Sequence, residues 1–145
     1  MKILFICRGN VGRSQMAEML FNDKTKGVHI STSAGTRVLA KDGVTSRHGQ
    51  LLKDLPGASK VVDVMSEIGL DAGDNARIQL TPEMLDEYDK VIYMSEPHAT
   101  PDYLSNRDKV IYWEVEDPKE MSVDDTRKIR DQLDGLVKQL IEDLG

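Results

Sequence analysis

The sequence has only one cysteine in 145 residues, which excludes an internal disulfide and a cysteine-based zinc site. Positive charge is also scarce: 25 acidic residues outnumber 19 lysines and arginines, and the net charge of −6 lacks the basic footprint of a nucleic-acid-binding protein. No apolar run approaches a membrane span, and the N-terminus has no secretory-leader pattern. The three histidines have no metal-ligand spacing. We therefore expect a cytoplasmic monomer with no cofactor or metal and no nucleic-acid or membrane partner.

The length and pattern of the chain predict one α/β domain spanning residues 1–145. Short apolar or alternating runs predict four strands, at 2–7, 28–33, 91–94 and 109–113. Apolar spacing and capping residues predict helices at about 13–22, at 58–68 and after Ser122, with shorter ones after Pro82 and at 98–104. This alternation is typical of a parallel sheet with helices on both faces. The polar stretch 36–56 has no readable pattern.

The most informative segment, which we call the cysteine loop, comprises residues 7–14. Cys7 ends the first predicted strand, and after five intervening residues Arg13 begins a helix. A helix N-terminus, a run of backbone N–H groups and the planar Arg13 guanidinium favour an ionised thiolate and an oxyanion beside it. The residues expected to bind the anion or shape the loop are Arg8, Gly9, Asn10, Val11, Gly12 and Ser14.

Individual members of the cysteine loop have expected tasks. Gly9 and Gly12 can adopt positive φ and approach the anion closely, and Asn10 tolerates the left-handed region. The Ser14 hydroxyl can donate a hydrogen bond to the sulfur of Cys7. A buried, inert cysteine is the alternative interpretation. The combination of residue types in one short loop favours phosphoryl transfer through sulfur.

A thiolate that cleaves phosphate esters needs an acid to protonate the leaving group. Asp117 is the candidate, because it follows the fourth predicted strand, near the sheet edge where open α/β folds bind ligands. An Asp-Pro pair is also ordinary turn chemistry, so the assignment stays open at this point. The competing carboxylates on similar predicted loops are Glu96, Asp102, Glu114 and Glu116.

Taken together, these motifs resemble the low-molecular-weight protein tyrosine phosphatase family, which includes arsenate reductases. The cysteine loop carries most of the resemblance. Further matching segments appear in order along the chain: Gln15-Met16-Ala17-Glu18, Ser31-Thr32-Ser33-Ala34-Gly35-Thr36, Ala76-Arg77, Leu80-Thr81, Tyr88 to Met94, and Asp117-Pro118.

The resemblance implies a flavodoxin-like, three-layer sandwich with parallel strands in the order 2-1-3-4. It also implies metal-independent hydrolysis of a phosphorylated protein or small phosphomonoester through a phosphocysteine on Cys7. In this scheme Arg13 and the loop amides hold the phosphate oxygens, Asp117 acts as acid and then base, and Ser14 stabilises the departing thiolate. Asn10 holds the loop, together with Ser33.

The sequence departs from the family pattern at Gly12, which excludes a disulfide within the loop, and at Lys119-Glu120, which leaves the preference for phosphotyrosine open. Gly12 stands where many members have a second cysteine, and Lys119-Glu120 where eukaryotic members often have tyrosines that contact an aromatic ring. Arsenate reduction with an external low-molecular-weight thiol remains an alternative, because it requires only Cys7. A non-catalytic phosphate-binding module is the other alternative. Arg47 and His48 are interpreted as solvated, unless the stretch 36–56 folds over the cysteine loop.

Overall fold

A four-stranded parallel sheet organises the computed structural model, which describes residues 1–96, 100–105 and 107–145. The strands are β1 (Lys2–Cys7), β2 (Ile30–Gly35), β3 (Lys90–Tyr93) and β4 (Val110–Tyr112). Their spatial order, β2-β1-β3-β4, confirms the predicted topology. The apolar β1 lies in the centre and pairs with β2 and β3, so that its carboxyl end, with Cys7, opens between two neighbours.

Three α-helices are found in the described part of the chain: α1 (Arg13–Thr25), α2 (Ser59–Ser66) and α3 (Val123–Leu144). Alternate residues of β1 point to opposite faces of the sheet. Ile3 and Phe5 pack into a core shared with all three helices, whereas Leu4 and Ile6 pack into a second core beneath loops and short 3-10 helices. Both faces of the central strand are therefore covered, as the continuous apolar run predicts.

The sequence patterns correctly predicted most helices and strands, but some of the predicted end residues differ from the observed ones. Ser122 caps α3 as predicted, its hydroxyl accepting the backbone N–H of Asp125 at 3.1 Å. Helix α1 runs three residues further than predicted, to Thr25, and is followed by Lys26, which has a left-handed φ of 46°. The segments after Pro82 and near 98–104 form 3-10 helices, Pro82–Glu87 and Asp102–Leu104, while positions 98 and 99 of the second prediction lie outside the described residues.

The unreadable stretch 36–56 is held by long-range backbone hydrogen bonds. Gly49 N–H donates to the carbonyl of Arg77 at 2.7 Å, and Leu52 N–H to that of Asn75 at 3.0 Å. Such contacts leave no periodic trace in the sequence. Among the residues that the structure describes, no helix is both long and apolar enough to cross a membrane.

Helices α2 and α3 are joined by a carboxylate between two guanidinium groups. Glu67 accepts hydrogen bonds from Nε and Nη2 of Arg127, at 2.8 and 2.6 Å, and from Nη1 of Arg130 at 2.8 Å. The Arg127 hydrogen bonds, followed by those of Arg130, outweigh desolvation and lower the pKa of Glu67 to about 2.

We predict that Glu67→Gln lowers the melting temperature at pH 7. Because the pKa is lower in the folded protein than its ordinary value of 4.5, the carboxylate stabilises the fold above pH 4.5. That contribution disappears as the pH falls from 4.5 towards 2, so the two melting curves converge in acid. Thermal unfolding followed by circular dichroism measures the difference, with Glu142→Gln on α3 as control. An equal effect in the control, or a difference that persists at pH 2, would contradict this assignment.

Candidate active site

The cysteine loop connects the carboxyl end of β1 to the first turn of α1. Cys7 is buried, and its Sγ lies 2.9 Å from Oγ of Ser14 in the first turn of the helix. Ser14 Oγ also accepts a hydrogen bond from Asn10 Nδ2 at 2.8 Å, which leaves its own hydrogen free to donate to the sulfur. The sulfur of Cys7 therefore accepts a hydrogen bond from Ser14 and does not have to donate one.

Asn10 is the central support of the cysteine loop. It is fully buried, and its amide nitrogen donates to Ser14 and to Oγ of Ser33, the latter at 3.0 Å. Its amide oxygen accepts from the backbone N–H of Ile78 at 2.8 Å and from Gln15 Nε2 at 3.1 Å. All four hydrogen-bonding positions of the side chain are filled. The bond to Ser33 was implied by the resemblance, whereas those to Gln15 and Ile78 were not anticipated.

The expected positive φ at Gly9 and Gly12 is wrong. The left-handed residue of the loop is Asn10, with φ of 55°, whereas Gly12 has φ of −107°. Gly12 is required for a steric reason, because a Cβ there would lie 2.8 Å from Cγ of Pro118. Close packing between the cysteine loop and the loop after β4 therefore explains this glycine.

The guanidinium of Arg13 is buried, and its two terminal nitrogens have different partners. Its Nη1 donates to the carbonyl oxygens of Met94 at 2.6 Å and Val115 at 3.1 Å. Its Nη2 lies 3.8 Å from Oδ2 of Asp117. The two carbonyls orient the group and leave Nε and Nη2 for a bound oxyanion. Within the described residues, no protein acceptor binds the backbone N–H groups of 8–13, so these donors are also available.

Asp117 lines the same cleft as Cys7 and Arg13. Of the competing carboxylates, Glu96 is also near Arg13, with Oε1 3.8 Å from Nη1. The backbone N–H of Glu96 itself, then the Ser95 hydroxyl and the charges of Arg13 and Arg8, lower the pKa of Glu96 and make it a poor proton donor. The other three competitors, Asp102, Glu114 and Glu116, are exposed and do not line the cleft.

Two further ionisable groups lie near the loop: Arg77 contacts it directly, and Glu18 contacts Ser33, a partner of Asn10. Arg77 is buried, and it donates from Nε to the carbonyl of Gly9 at 3.1 Å and from Nη1 to Oε1 of Gln50 at 2.8 Å. Burial is the main reason that the pKa of Arg77 is lowered. Burial likewise raises the pKa of Glu18, and hydrogen bonds from the side chain and backbone of Ser33 partly offset that rise.

A cleft of about 1210 Å³ opens above the cysteine loop. The stretch 36–56 forms one wall of it, so Arg47, first interpreted as solvated, faces the same cleft as Cys7. His48 instead accepts the backbone N–H of Gln79 at 2.9 Å through Nδ1. Sequence reasoning gave no role to five other basic residues that line the cleft: Arg37, Lys41, Lys60, Arg77 and Lys119. Four of them have a signal in the sequence, the density of basic residues in 37–60 and beside Asp117. Arg77 belongs to a segment that matches the family pattern, to which no role was given.

A buried thiol, a tethered guanidinium and a carboxylate around one cleft, at the carboxyl edge of a parallel sheet, define an α/β protein with a cysteine-based oxyanion site. The family model described as low molecular weight phosphotyrosine protein phosphatase matches residues 2–145. The chain belongs to this family.

Individual relatives agree with this membership. The low molecular weight protein-tyrosine-phosphatase Etp of Escherichia coli (strain K12) is 30% identical over 96 residues, covering 66% of this chain and 55% of that protein. The chain therefore matches only about half the length of this curated relative. A solved low molecular weight protein tyrosine phosphatase from T. tengcongensis is 31% identical, with 99% of each chain covered and a TM-score of 0.80. A C7S mutant of the arginine phosphatase YwlE, solved with a phosphorylated active-site serine, is 27% identical, with 99% of this chain and 95% of that chain covered and a TM-score of 0.77.

The end of β2 gives a test of the loop geometry that leaves the reactive groups unchanged. A Cβ at Gly35 would lie 2.6 Å from the carbonyl oxygen of Arg8 and 2.8 Å from the backbone nitrogen of Asn10. We predict that Gly35→Ala displaces the cysteine loop and weakens binding of inorganic phosphate at least about tenfold, because small misplacements of binding groups are costly. Isothermal titration calorimetry measures this affinity.

The control is Gly135→Ala on α3, where a Cβ meets no heavy atom within 4 Å. This variant should bind phosphate normally and gain about 0.5–1 kcal/mol of stability from alanine in a helix. Normal phosphate affinity in Gly35→Ala would show that the loop does not depend on close approach of β2.

Proposed function

We propose that the chain is a cysteine-dependent phosphomonoester hydrolase of the protein tyrosine phosphatase type. The observation that carries the proposal is the convergence of the Cys7 thiol, the Arg13 guanidinium and the Asp117 carboxyl group on one cleft. The hydroxyl of Ser14 beside the sulfur and the free backbone N–H groups of 8–13 suit a thiolate facing a bound phosphate. Each group has a separate task in a two-step reaction.

In the first step the Cys7 thiolate attacks phosphorus and the bond between phosphorus and the ester oxygen breaks. Asp117, as the acid, gives its proton to the departing oxygen, so the leaving group is a neutral alcohol or phenol. Nε and Nη2 of Arg13 and the loop N–H groups bind the three remaining phosphate oxygens as charge develops on them. The product of this step is a phosphocysteine on Cys7. The phosphorylated serine in the C7S mutant of the YwlE arginine phosphatase supports a covalent phosphoenzyme.

In the second step water attacks the phosphorus of the phosphocysteine. The Asp117 carboxylate removes the proton from that water, and the phosphorus–sulfur bond breaks to release inorganic phosphate. The Ser14 hydroxyl stabilises the departing thiolate with the hydrogen bond it donates at 2.9 Å. The enzyme returns to its starting state with no net change in protonation.

The phosphorylated residue that the enzyme prefers is identified by comparing substrates directly. Peptides carrying phosphotyrosine, phosphoserine or phosphoarginine separate the substrate classes, and phosphotyrosine is the expected substrate from the family. Arsenate with an added low-molecular-weight thiol tests the reductase alternative, through oxidation of that thiol. A non-catalytic binding module would retain phosphate binding and turn over none of these compounds.

We predict that Cys7→Ser abolishes release of nitrophenol from p-nitrophenyl phosphate, measured in the presence of a chelator. A serine hydroxyl at the same position is a far weaker nucleophile than a thiolate at neutral pH. Acid quenching of the native protein during turnover, followed by peptide mass spectrometry, should find phosphate on the peptide containing Cys7. Turnover that survives the substitution would refute the mechanism.

We also predict that Asp117→Asn lowers kcat for a phosphotyrosine peptide by about 100-fold, the usual size of a general-acid contribution. The loss should be smaller for p-nitrophenyl phosphate, whose leaving group needs less protonation. Glu116→Gln is the matched control, because Glu116 is the adjacent carboxylate and does not line the cleft. If both substrates lose activity equally in Asp117→Asn, the acid is another group.

A further inference from the structure

The distribution of charge in the cleft is opposite to that of the whole chain. The protein has a net charge of −6, yet eight of its 19 lysines and arginines line the cleft, against two of its 25 acidic residues. Converging cations in a concave site concentrate anions far more strongly than the net charge suggests. One phosphate dianion, bound in the cysteine loop beside Arg13, accounts for only part of this excess.

Most of the cations in the cleft lack an acidic partner. Of the eleven lysines and arginines outside the cleft, seven lie within 4.0 Å of a carboxylate, as Lys24 does with Asp134 at 2.6 Å. Among the described cationic side chains that line the cleft, only the Arg13 guanidinium lies within 4.0 Å of a carboxylate. Arg47 lies close enough to Arg77 that its charge, after the larger effect of burial, contributes to the lowered pKa of Arg77. Like charges held this close favour an anionic ligand between or beside them.

Three of these cations, Arg37, Lys41 and Arg47, follow β2 and form what we call the cationic wall. The wall is attached directly to the cysteine loop, because the backbone N–H of Arg37 donates to the carbonyl of Arg8 at 2.8 Å. Residues Leu39 and Ser46 pair as an antiparallel bridge, and the backbone N–H of Arg47 donates to the carbonyl of Val38 at 2.9 Å. The wall therefore has a defined position relative to the cysteine loop.

Asp42 is the one acidic residue between Arg37 and Arg47, and its side chain stabilises the turn that follows Lys41. Asp42 accepts the backbone N–H groups of Val44 and Thr45, both at 2.9 Å, and the Thr45 hydroxyl at 2.6 Å. These hydrogen bonds, led by that of the Thr45 hydroxyl, lower the pKa of Asp42 to about 2. Its charge offsets part of the wall's potential, and a net positive charge remains.

The cleft also has more room than one phosphate ester needs. Its volume of about 1210 Å³ exceeds the roughly 300–1,000 Å³ of sites that enclose a drug-sized molecule. On the side opposite the wall, Lys119 follows Asp117 closely, and its backbone N–H donates to Oδ1 of Asp117 at 3.0 Å. A chain that crosses the cleft would meet cations on both sides of the phosphate.

We propose that the cationic wall is a second anion subsite, which selects a phosphorylated residue flanked by acidic residues in a peptide. The proposal rests on the phosphatase function proposed above. The carboxylates of aspartate or glutamate beside the phosphoresidue bind Arg37, Lys41 and Arg47 while the phosphate occupies the cysteine loop. A small bisphosphate offers the same second anion, but it leaves most of the cleft and Lys119 unused.

The test compares two phosphotyrosine peptides that differ only in having glutamate or glutamine on both sides of the phosphoresidue. The native protein should have about tenfold higher kcat/KM for the glutamate peptide, since each exposed pair contributes about twofold to fivefold. The preference should decline with added salt, which screens exposed charges. Fructose 1,6-bisphosphate against fructose 6-phosphate tests the small-molecule source of the second anion.

The decisive variant is the triple substitution Arg37→Gln, Lys41→Gln, Arg47→Gln. Its matched control, Lys53→Gln, Lys128→Gln, Lys138→Gln, removes the same charge from exposed residues outside the cleft. The ratio of the two peptide kcat/KM values is the readout, so a general loss of activity cancels. The ratio should fall to near one in the wall variant and remain unchanged in the control.

Three results would overturn the proposal: equal kcat/KM for both peptides in the native protein, a preference that survives in the wall variant, or a preference for the bisphosphate alone. Failure of the proposed function has a different signature, namely no turnover of p-nitrophenyl phosphate. In that event the affinities of the two phosphopeptides, measured by calorimetry, still decide whether the wall binds acidic flanks.

Discussion

The site depends on one buried amide held in a left-handed backbone conformation. Asn10 combines φ of 55° with four hydrogen bonds that join the cysteine loop to β2, to α1 and to Ile78. A non-glycine residue in this region costs about 1–3 kcal/mol, and the cost is met by surroundings that fix the residue from several sides. Truncation would leave several buried polar groups unpaired, each at about 1–3 kcal/mol. The loop is therefore specified by a hydrogen-bond network that joins it to β2, α1 and Ile78.

The same network sets the direction of the hydrogen bond at the sulfur. Because Asn10 donates to Ser14 Oγ, the serine has its hydrogen available for Cys7, and the sulfur is the acceptor. The Arg77 guanidinium below and the Arg13 guanidinium beside the loop add positive charge without competing for that hydrogen bond. Acidic residues lie mostly away from the cleft, so the negative net charge of the chain coexists with a site built for anions.

Sequence reasoning succeeded where local pattern decides the structure and failed where distant contacts decide it. Three features depend only on neighbouring residues: the apolar run 2–7, the cap at Ser122 and the spacing of Cys7 and Arg13. They correctly predicted strand β1, the start of α3 and the loop between β1 and α1. Gly12 was misread, because its role is to admit Pro118, a contact between remote segments. No local pattern shows that Gly35 admits the cysteine loop, which is also a contact between remote segments. The cationic wall was missed for the same reason: irregular backbone held by residues such as Arg77 has no periodicity to read.

The hydrogen bonds that orient Arg13 affect the order in which activity and structure are lost during unfolding. One of its two carbonyl partners belongs to Val115, three residues beyond β4, a strand of only three residues at the sheet edge with Ile111 and Tyr112 exposed. Short edge strands open at lower free energy than central ones. Fraying there releases half of the guanidinium's anchor while the core around β1 remains intact. Loss of activity should thus occur at a lower denaturant concentration than cooperative unfolding.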